Sequence, residues 1–305
     1  MKRVFWNADE GRLRAGWRVV VFFFAVASLG LGFIYLAQAI LGGRPARGLG
    51  RELVMVGALA IAATALLPLG RRLLDQRSTV SLGLRFDRLA VKDLAFGWLL
   101  SGAMAGAFFL ILFLLGGVTI DGSALGNGPL AAPLILSFGL YVLVGWWEEL
   151  FFRGYIFDNL RDGLGLVAAI VVSCLMYGAV HSTNRNATFL STSIIVGFGF
   201  LRLYGLLSTR QLWLSMGMHM GWNFFQGPIF GFAASGQGSF KLLTIELAGP
   251  GWLTGGAFGP EGSLLVLPIL GATLLVMRWW AKRTRPDLHS VCRSGIKSGV
   301  EPIAA

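Results

Sequence analysis

The chain has 305 residues, of which 55% are hydrophobic and 13% are charged, and its mean hydropathy is +0.69. A soluble domain carries roughly 25% charged residues, so this composition excludes an ordinary soluble protein and indicates a chain that crosses a membrane several times. The net charge is +11, and the charged residues occur in clusters separated by long uncharged stretches. We expect no nucleic-acid partner.

Apolar runs that approach or exceed the length of a membrane-spanning helix, about 20 residues, occur repeatedly along the chain. They predict an all-α, polytopic membrane protein with about eight transmembrane helices, at residues 19–41, 53–69, 94–117, 130–147 and beyond, 164–180, 187–207, 212–234 and 263–280. These runs do not alternate between apolar and polar residues, which argues against β-barrel strands. The first run exceeds the apolar core of a signal peptide, so we expect it to be a retained helix.

Three regions are predicted: a cytoplasmic N-terminal segment (1–18), a single membrane domain (19–280) with a core at about 129–235, and a mobile cytoplasmic tail (281–305). Most of the 26 Lys and Arg residues fall on one side of the eight-helix arrangement, and the exceptions are Arg44, Arg47, Arg51, Arg185 and Lys241. The positive-inside rule makes the basic side cytoplasmic, which places both termini there. Since Cys174 and Cys292 should lie at different depths, we expect no disulfide. The Gly- and Pro-rich loop 227–262 predicts an irregular or interfacial segment.

Few ionisable or strongly polar side chains interrupt the predicted helices. Such a group costs about 2.5–3.5 kcal/mol in a bilayer and is therefore a candidate for function. The candidates on the fourth, fifth and seventh helices are Glu148, Glu149, Arg153, His181, His219 and Asn223. We expect Arg202, on the sixth helix, to extend to the cytoplasmic interface without a role. Glu261 is expected at the start of the eighth helix, where a carboxylate suits the helix dipole.

The lengths of two hairpins bring these groups to a similar depth. Glu148 lies about 14 residues before the turn at 161–165 and His181 about 17 residues after it, which is about 21 and 26 Å along the helices. His219 and Asn223 lie about 10 and 14 residues beyond the turn at 206–210, or about 15 and 21 Å. The fourth to seventh helices therefore form a predicted four-helix core around one polar site.

Residues that lie four apart on one helix share a face, and this spacing predicts further contacts within the site. Glu149 and Arg153 have the spacing of an ion pair, which would lower the cost of burying both charges. Glu148 points about 100° away from Glu149 and is left free to act as a general base. On the seventh helix, Gly217 and Gly221 form a GxxxG pair, which predicts the close approach of another helix.

Three motifs in this set resemble those of a known family. Residues 148–153, EELFFR, resemble the E-E-x-x-x-R motif of the CAAX-protease and bacteriocin-processing family of intramembrane peptidases. Residues 177–181, YGAVH, are similar to its F-x-x-x-H motif, with Tyr177 in place of phenylalanine, and residues 219–223, HMGWN, resemble its H-x-x-x-N motif. The resemblance is firmest over residues 145–227 and extends to the flanking segments 81–97 and 251–265.

The resemblance implies an intramembrane endopeptidase of the bacterial cytoplasmic membrane. Glu148, helped by His181, would activate a water molecule to attack a peptide carbonyl. His219 and Asn223 would donate hydrogen bonds to the developing oxyanion. The implied partners are a peptide or membrane-protein substrate and the lipid bilayer, and the sequence predicts no particular oligomeric state.

In the same reading, Glu149 and Arg153 would fix the geometry of the site. We expect no cofactor, since the motifs lack the HExxH pattern of a zinc peptidase; the alternative is zinc bound by Glu148, His181 and His219. Two other functions remain alternatives: a transporter that uses buried Glu and His groups, and a scaffold or immunity protein that retains the fold without activity. The lack of an inverted repeat argues against transport, and the intact motifs argue against a silent scaffold.

Overall fold

The structure is a computed structural model, which describes residues 2–42, 48–125, 128–238 and 240–287. These residues contain eight long helices, labelled α1 to α8 in chain order. They are α1 (Ala15–Ile40), α2 (Gly48–Gly70), α3 (Arg88–Leu114), α4 (Ala131–Glu148), α5 (Leu166–His181), α6 (Phe189–Thr209), α7 (Trp213–Phe224) and α8 (Val266–Thr284). Three helices continue through wider π-helical turns: α2 through Arg71–Asp75, α4 through Glu149–Ile156 and then the regular helix Phe157–Leu164, and α7 through Phe225–Ile229.

The predicted all-α, multi-pass architecture is confirmed. Within the described ranges, five continuous helices are long and apolar enough to cross a membrane, namely Ala15–Ile40, Gly48–Asp75, Arg88–Leu114, Ala131–Leu164 and Phe189–Thr209, and Leu166–His181 is a shorter apolar helix. The seventh helix ends before the predicted residue 234. Pro228, which cannot donate a backbone hydrogen bond, lies in its last wide turn at Phe225–Ile229.

Two small antiparallel sheets were not predicted. Strands β1 (Trp6–Asn7) and β2 (Arg12–Leu13) pair before α1. Strands β3 (Val118–Ser123) and β4 (Leu243–Leu247) pair between the loop after α3 and the Gly- and Pro-rich loop before α8. That loop also contains short helical segments at Gly251–Thr254, Gly256–Phe258 and Pro260–Gly262, which agrees with the irregular segment predicted there.

Helix α7 is the most deeply buried helix of the site region, with every residue from Trp213 to Asn223 buried. The predicted close approach at its glycine pair is confirmed, and the neighbour is α3. A Cβ atom on Gly217 would lie 2.1 Å from the carbonyl oxygen of Leu94, and one on Gly221 would lie 2.8 Å from that of Trp98. Both positions therefore require glycine, and α3 fixes the rotation of α7 about its axis.

A buried ionic cluster joins α1, α2 and the far end of α4. The Arg18 guanidinium contacts Asp75 at 3.1 Å and Asp162 at 3.2 Å, and Arg71 contacts Asp75 and Asp158, each at 2.8 Å. Asp75 and both arginines are at most 1% exposed. Each buried charge thus has an opposite charge beside it, which buried ions require. The cluster fixes α4 along its axis against its neighbours.

The two chain ends differ in how much of them is described. In the predicted tail, α8 continues to Thr284, and Arg285 forms an ion pair with Asp93 at 2.5 Å. Residues 288–305, which include Cys292, lie outside the described residues, as do Arg44 and Arg47. The other cysteine, Cys174, is a free thiol buried in α5.

At the start of α3, Asp87 caps the helix by accepting a hydrogen bond from the Ala90 amide at 2.9 Å. That bond, together with the Arg85 guanidinium at 2.8 Å, holds the pKa of the Asp87 carboxyl below its usual range. The cap defines where α3 begins, and α3 in turn supports α7.

Candidate active site

Two adjacent glutamates occupy the point where α4 changes from regular helix to a wide turn. Glu148 is the last residue of the regular segment, and Glu149 begins the π-helical segment. Such turns are frequent at functional sites. Glu149 is 0% exposed, whereas the Glu148 side chain retains 12% exposure. The two carboxylates therefore have different surroundings, as their predicted division of roles requires.

The Glu149 carboxylate accepts contacts from three side chains. Ser215 donates from its hydroxyl at 2.5 Å, His219 Nδ1 lies 2.8 Å away, and Arg153 Nη1 lies 3.2 Å away. The predicted ion pair with Arg153 is present, and Glu149 also connects α4 to α7. Since a carboxylate only accepts, the hydrogen of this bond lies on His219 Nδ1.

Tyr177 lies between two buried arginines. The guanidinium carbon of Arg153 is 4.0 Å from the centre of its ring, within cation–π range. Arg202 donates a hydrogen bond to its hydroxyl. Arg202 is only 2% exposed, so the expectation that it reaches the interface is wrong. The reason is the hydroxyl of Tyr177, which accepts this hydrogen bond, as a phenylalanine at that position could not.

Replacing Tyr177 by phenylalanine is expected to lower the free energy of unfolding by about 1–3 kcal/mol, because a buried arginine loses a hydrogen-bond acceptor. Thermal unfolding in detergent measures the effect. Tyr204→Phe on α6 is the matched control, since Tyr204 is only half-buried. Equal melting temperatures for the Tyr177 and Tyr204 variants would contradict the interpretation of Arg202.

His181, the last residue of α5, presents one ring nitrogen to Glu148. Its Nδ1 lies 2.9 Å from the carbonyl oxygen of Tyr177. A carbonyl only accepts, so Nδ1 carries the hydrogen, and in the neutral ring Nε2 keeps a free lone pair. This Nε2 is 3.9 Å from Glu148 Oε2, and His219 Nε2 is 3.7 Å from the same oxygen. Both distances exceed that of a hydrogen bond.

Glu148 Oε2 is buried and has no hydrogen-bond partner among the described residues. An unpaired buried oxygen of this kind is costly. Because a carboxylate and a histidine lone pair both accept, the group that satisfies them must donate twice. A water molecule has two O–H donors, so the arrangement is suited to hold a water between Glu148 and His181.

Asn223 lies on α7 one turn beyond His219 and is 7% exposed. Its Oδ1 accepts a hydrogen bond from Gln226 Nε2 at 3.3 Å, and no described residue accepts from its Nδ2. Ser215, which the sequence analysis missed, precedes His219 by four residues. A polar side chain at every fourth position, from Ser215 to Asn223, is the signal that could have identified it.

The structure thus brings Glu148, Glu149, Arg153, His181 and His219 into one network, with Asn223 on the adjoining turn of α7. Three further polar residues border this network and were not predicted as site residues: Ser215, Arg202 and Gln226. The predicted four-helix core α4 to α7 supplies every one of these side chains, since Gln226 lies in the wide turn that continues α7.

Metal binding depends on how the donor side chains of the site are arranged. Within the described part of the chain, no group of three or more His, Cys, Asp or Glu side chains is arranged to hold a metal ion. In the predicted alternative set, Glu148 Oε2 is 3.7 and 3.9 Å from the two ring nitrogens. Two ligands of tetrahedral zinc lie about 3.4 Å apart, given bonds of about 2.1 Å. As arranged, these donors lie farther apart than two ligands of one tetrahedral zinc ion.

A comparison with protein families identifies the polar core. Residues 130–225 match the family model described as "Type II CAAX prenyl endopeptidase Rce1-like". This match supports the CAAX-protease and bacteriocin-processing family for that part of the chain. The matched range contains all three motifs, and it ends before Gln226. No curated protein and no solved structure matches the chain.

Proposed function

We propose that this protein is an intramembrane endopeptidase that hydrolyses peptide bonds with a water molecule activated by Glu148 and His181. The supporting observation is the buried, unpartnered Oε2 of Glu148, which faces the lone pair of His181 Nε2 at 3.9 Å. The water that this pair would hold donates to both groups, which leaves its oxygen lone pairs free to attack a carbonyl carbon.

In the proposed reaction, Glu148 takes a proton from the water while the water oxygen bonds to the peptide carbonyl carbon. The carbonyl electron pair moves to the oxygen, which becomes an oxyanion. When the tetrahedral intermediate collapses, the C–N bond breaks and the proton passes from Glu148 to the leaving nitrogen. This is general base catalysis followed by general acid catalysis by one carboxyl.

We assign stabilisation of the oxyanion to His219 Nε2 and Asn223 Nδ2. His219 already donates from Nδ1 to Glu149, so donation from Nε2 requires both ring protons and a positive charge. The Glu149 carboxylate holds the ring in place by accepting from Nδ1 at 2.8 Å, and Arg153 in turn balances the charge of Glu149. Donors held in place before the charge develops make the largest contribution in many enzymes.

We further propose that the protein lies in a bacterial cytoplasmic membrane with both termini in the cytoplasm. The distribution of Lys and Arg supports this orientation. The proposed substrate is a peptide or a membrane protein whose cleavage site enters the bilayer. No cofactor is assigned, and water activation rests on side chains alone.

The test is cleavage of a peptide library by the purified protein in detergent. We expect wild type to cut peptides, and Glu148→Ala, His181→Ala and His219→Ala to leave them intact. Cleavage by wild type should survive a zinc chelator, whereas loss that zinc restores would establish the metal alternative. If wild type leaves every peptide uncut but moves ions in liposomes, the protein is a transporter and the proposal is wrong.

A further inference from the structure

A further buried carboxylate, Glu261, lies beyond the family match, in the helical turn Pro260–Gly262 before α8. It was expected to serve the dipole of the last helix, but that helix begins at Val266. Instead Glu261 is 1% exposed and accepts four hydrogen bonds. Trp222 Nε1 and Gln226 Nε2 donate to Oε1 at 2.8 and 3.1 Å, and the Ser235 amide and hydroxyl donate to Oε2 at 2.7 and 2.6 Å.

The two donors to Oε1 come from α7 and its continuation, the elements that follow His219. Gln226 uses the same amide nitrogen for two acceptors, Glu261 Oε1 at 3.1 Å and Asn223 Oδ1 at 3.3 Å. An NH₂ group has two hydrogens, so both bonds can form at once. Gln226 therefore links the Glu261 carboxylate directly to Asn223.

The charge of Glu261 determines the orientation of both amides. A carboxylate accepts only, so Gln226 must turn its NH₂ toward Glu261 rather than its carbonyl oxygen. That oxygen, Oε1, is buried without a described partner. The hydrogen bond from Gln226 to the charged Glu261 offsets the cost of leaving this oxygen unpaired. With the Gln226 NH₂ fixed, Asn223 must present its oxygen to Gln226. Its own NH₂ then has no acceptor among the described residues and is left to donate to a substrate.

The other side of Glu261 is also held in place. Ser235 adopts a left-handed backbone conformation with φ of +48°, which is unfavourable for a residue with a side chain. Both of its donors point to Glu261 Oε2. The carboxylate is thus fixed from the loop on one side and directed at α7 on the other.

We propose that Glu261 is a positioning residue, which acts through Gln226 to direct the Asn223 amide at the oxyanion of the reaction. This inference rests on the proposed peptidase function. It adds two residues, Gln226 and Glu261, that lie outside the matched range and outside the three motifs.

The experiment measures kcat and KM of purified wild type, Glu261→Gln, Asn223→Ala and the double variant on the library peptide that wild type cuts best. Glutamine at 261 carries an NH₂ group, so it no longer requires the Gln226 amide to donate. We expect kcat to fall about 10-fold or more, below the 10²–10³-fold cost of losing an oxyanion donor outright, with KM within about 2-fold of wild type. Glu246→Gln, an exposed carboxylate on β4, is the matched control and should equal wild type.

The double variant separates positioning from a merely structural role. If Glu261 acts through Asn223, Glu261→Gln should lower kcat less than about 2-fold once Asn223 is alanine. A loss of the same size in both backgrounds, or no loss in the single variant, would overturn the inference. Should Glu261→Gln fail to fold, Gln226→Met tests the same link while leaving the contacts of Glu261 with Ser235 in place. An inactive wild type, by contrast, would refute the proposed peptidase itself.

Discussion

Replacing Glu148 by glutamine is expected to lower kcat by about 10³-fold or more while the protein keeps its fold. Glutamine has the shape of glutamate but cannot take a proton from water, so the general base is lost. Glu148 Oε2 accepts no hydrogen bond from a described residue, and a neutral amide in place of the carboxylate removes a buried charge. The melting temperature in detergent should therefore be equal to that of wild type or higher.

The measurement pairs kcat on the best library peptide with thermal unfolding of the same sample. Glu246→Gln is again the matched control, because it removes one exposed carboxylate far from the motifs in sequence. More than about a tenth of the wild-type kcat in Glu148→Gln would show that another group activates the water. A large fall in melting temperature would instead make Glu148 a structural residue.

Replacing Arg153 by methionine is expected to cost about 3–5 kcal/mol of stability and to abolish cleavage. The substitution leaves the fully buried Glu149 without its opposite charge, and breaking a buried pair on one side carries a cost of this size. Glu149 also holds His219 through Nδ1, so the disturbance reaches the group assigned to the oxyanion. Unfolding in detergent and peptide cleavage report the two effects separately.

The double variant Glu149→Gln with Arg153→Met sharpens this prediction. Removing both charges should restore most of the lost stability, since an apolar or neutral replacement of a whole buried pair is often nearly neutral. Cleavage should stay low, because His219 then lacks the carboxylate that holds its ring through Nδ1. A single variant as stable as wild type, or a double variant no more stable than the single, would show that the pair does not carry this energy.

Much of the membrane architecture and most of the site follow from local patterns in the chain. Apolar runs of spanning length predict the helices because each backbone polar group must be paired within its own helix in a bilayer. The i,i+4 spacing of Glu149 and Arg153 predicts their ion pair, and the glycines at 217 and 221 predict the contact with α3. Each of these depends on residues close together in sequence.

The long-range polar contacts were decided by packing alone. The sequence predicts Arg202 at the interface, but α6 places it against Tyr177. It predicts Glu261 at a helix start, but the loop directs Glu261 toward Trp222 and Gln226. Buried polar groups pair with whichever partner the tertiary structure brings within hydrogen-bonding distance, since the cost of leaving them unpaired outweighs local preference. Sequence spacing thus identified the buried groups of the three motifs, and only the folded chain identified the burial of Arg202 and the partners of Arg202 and Glu261.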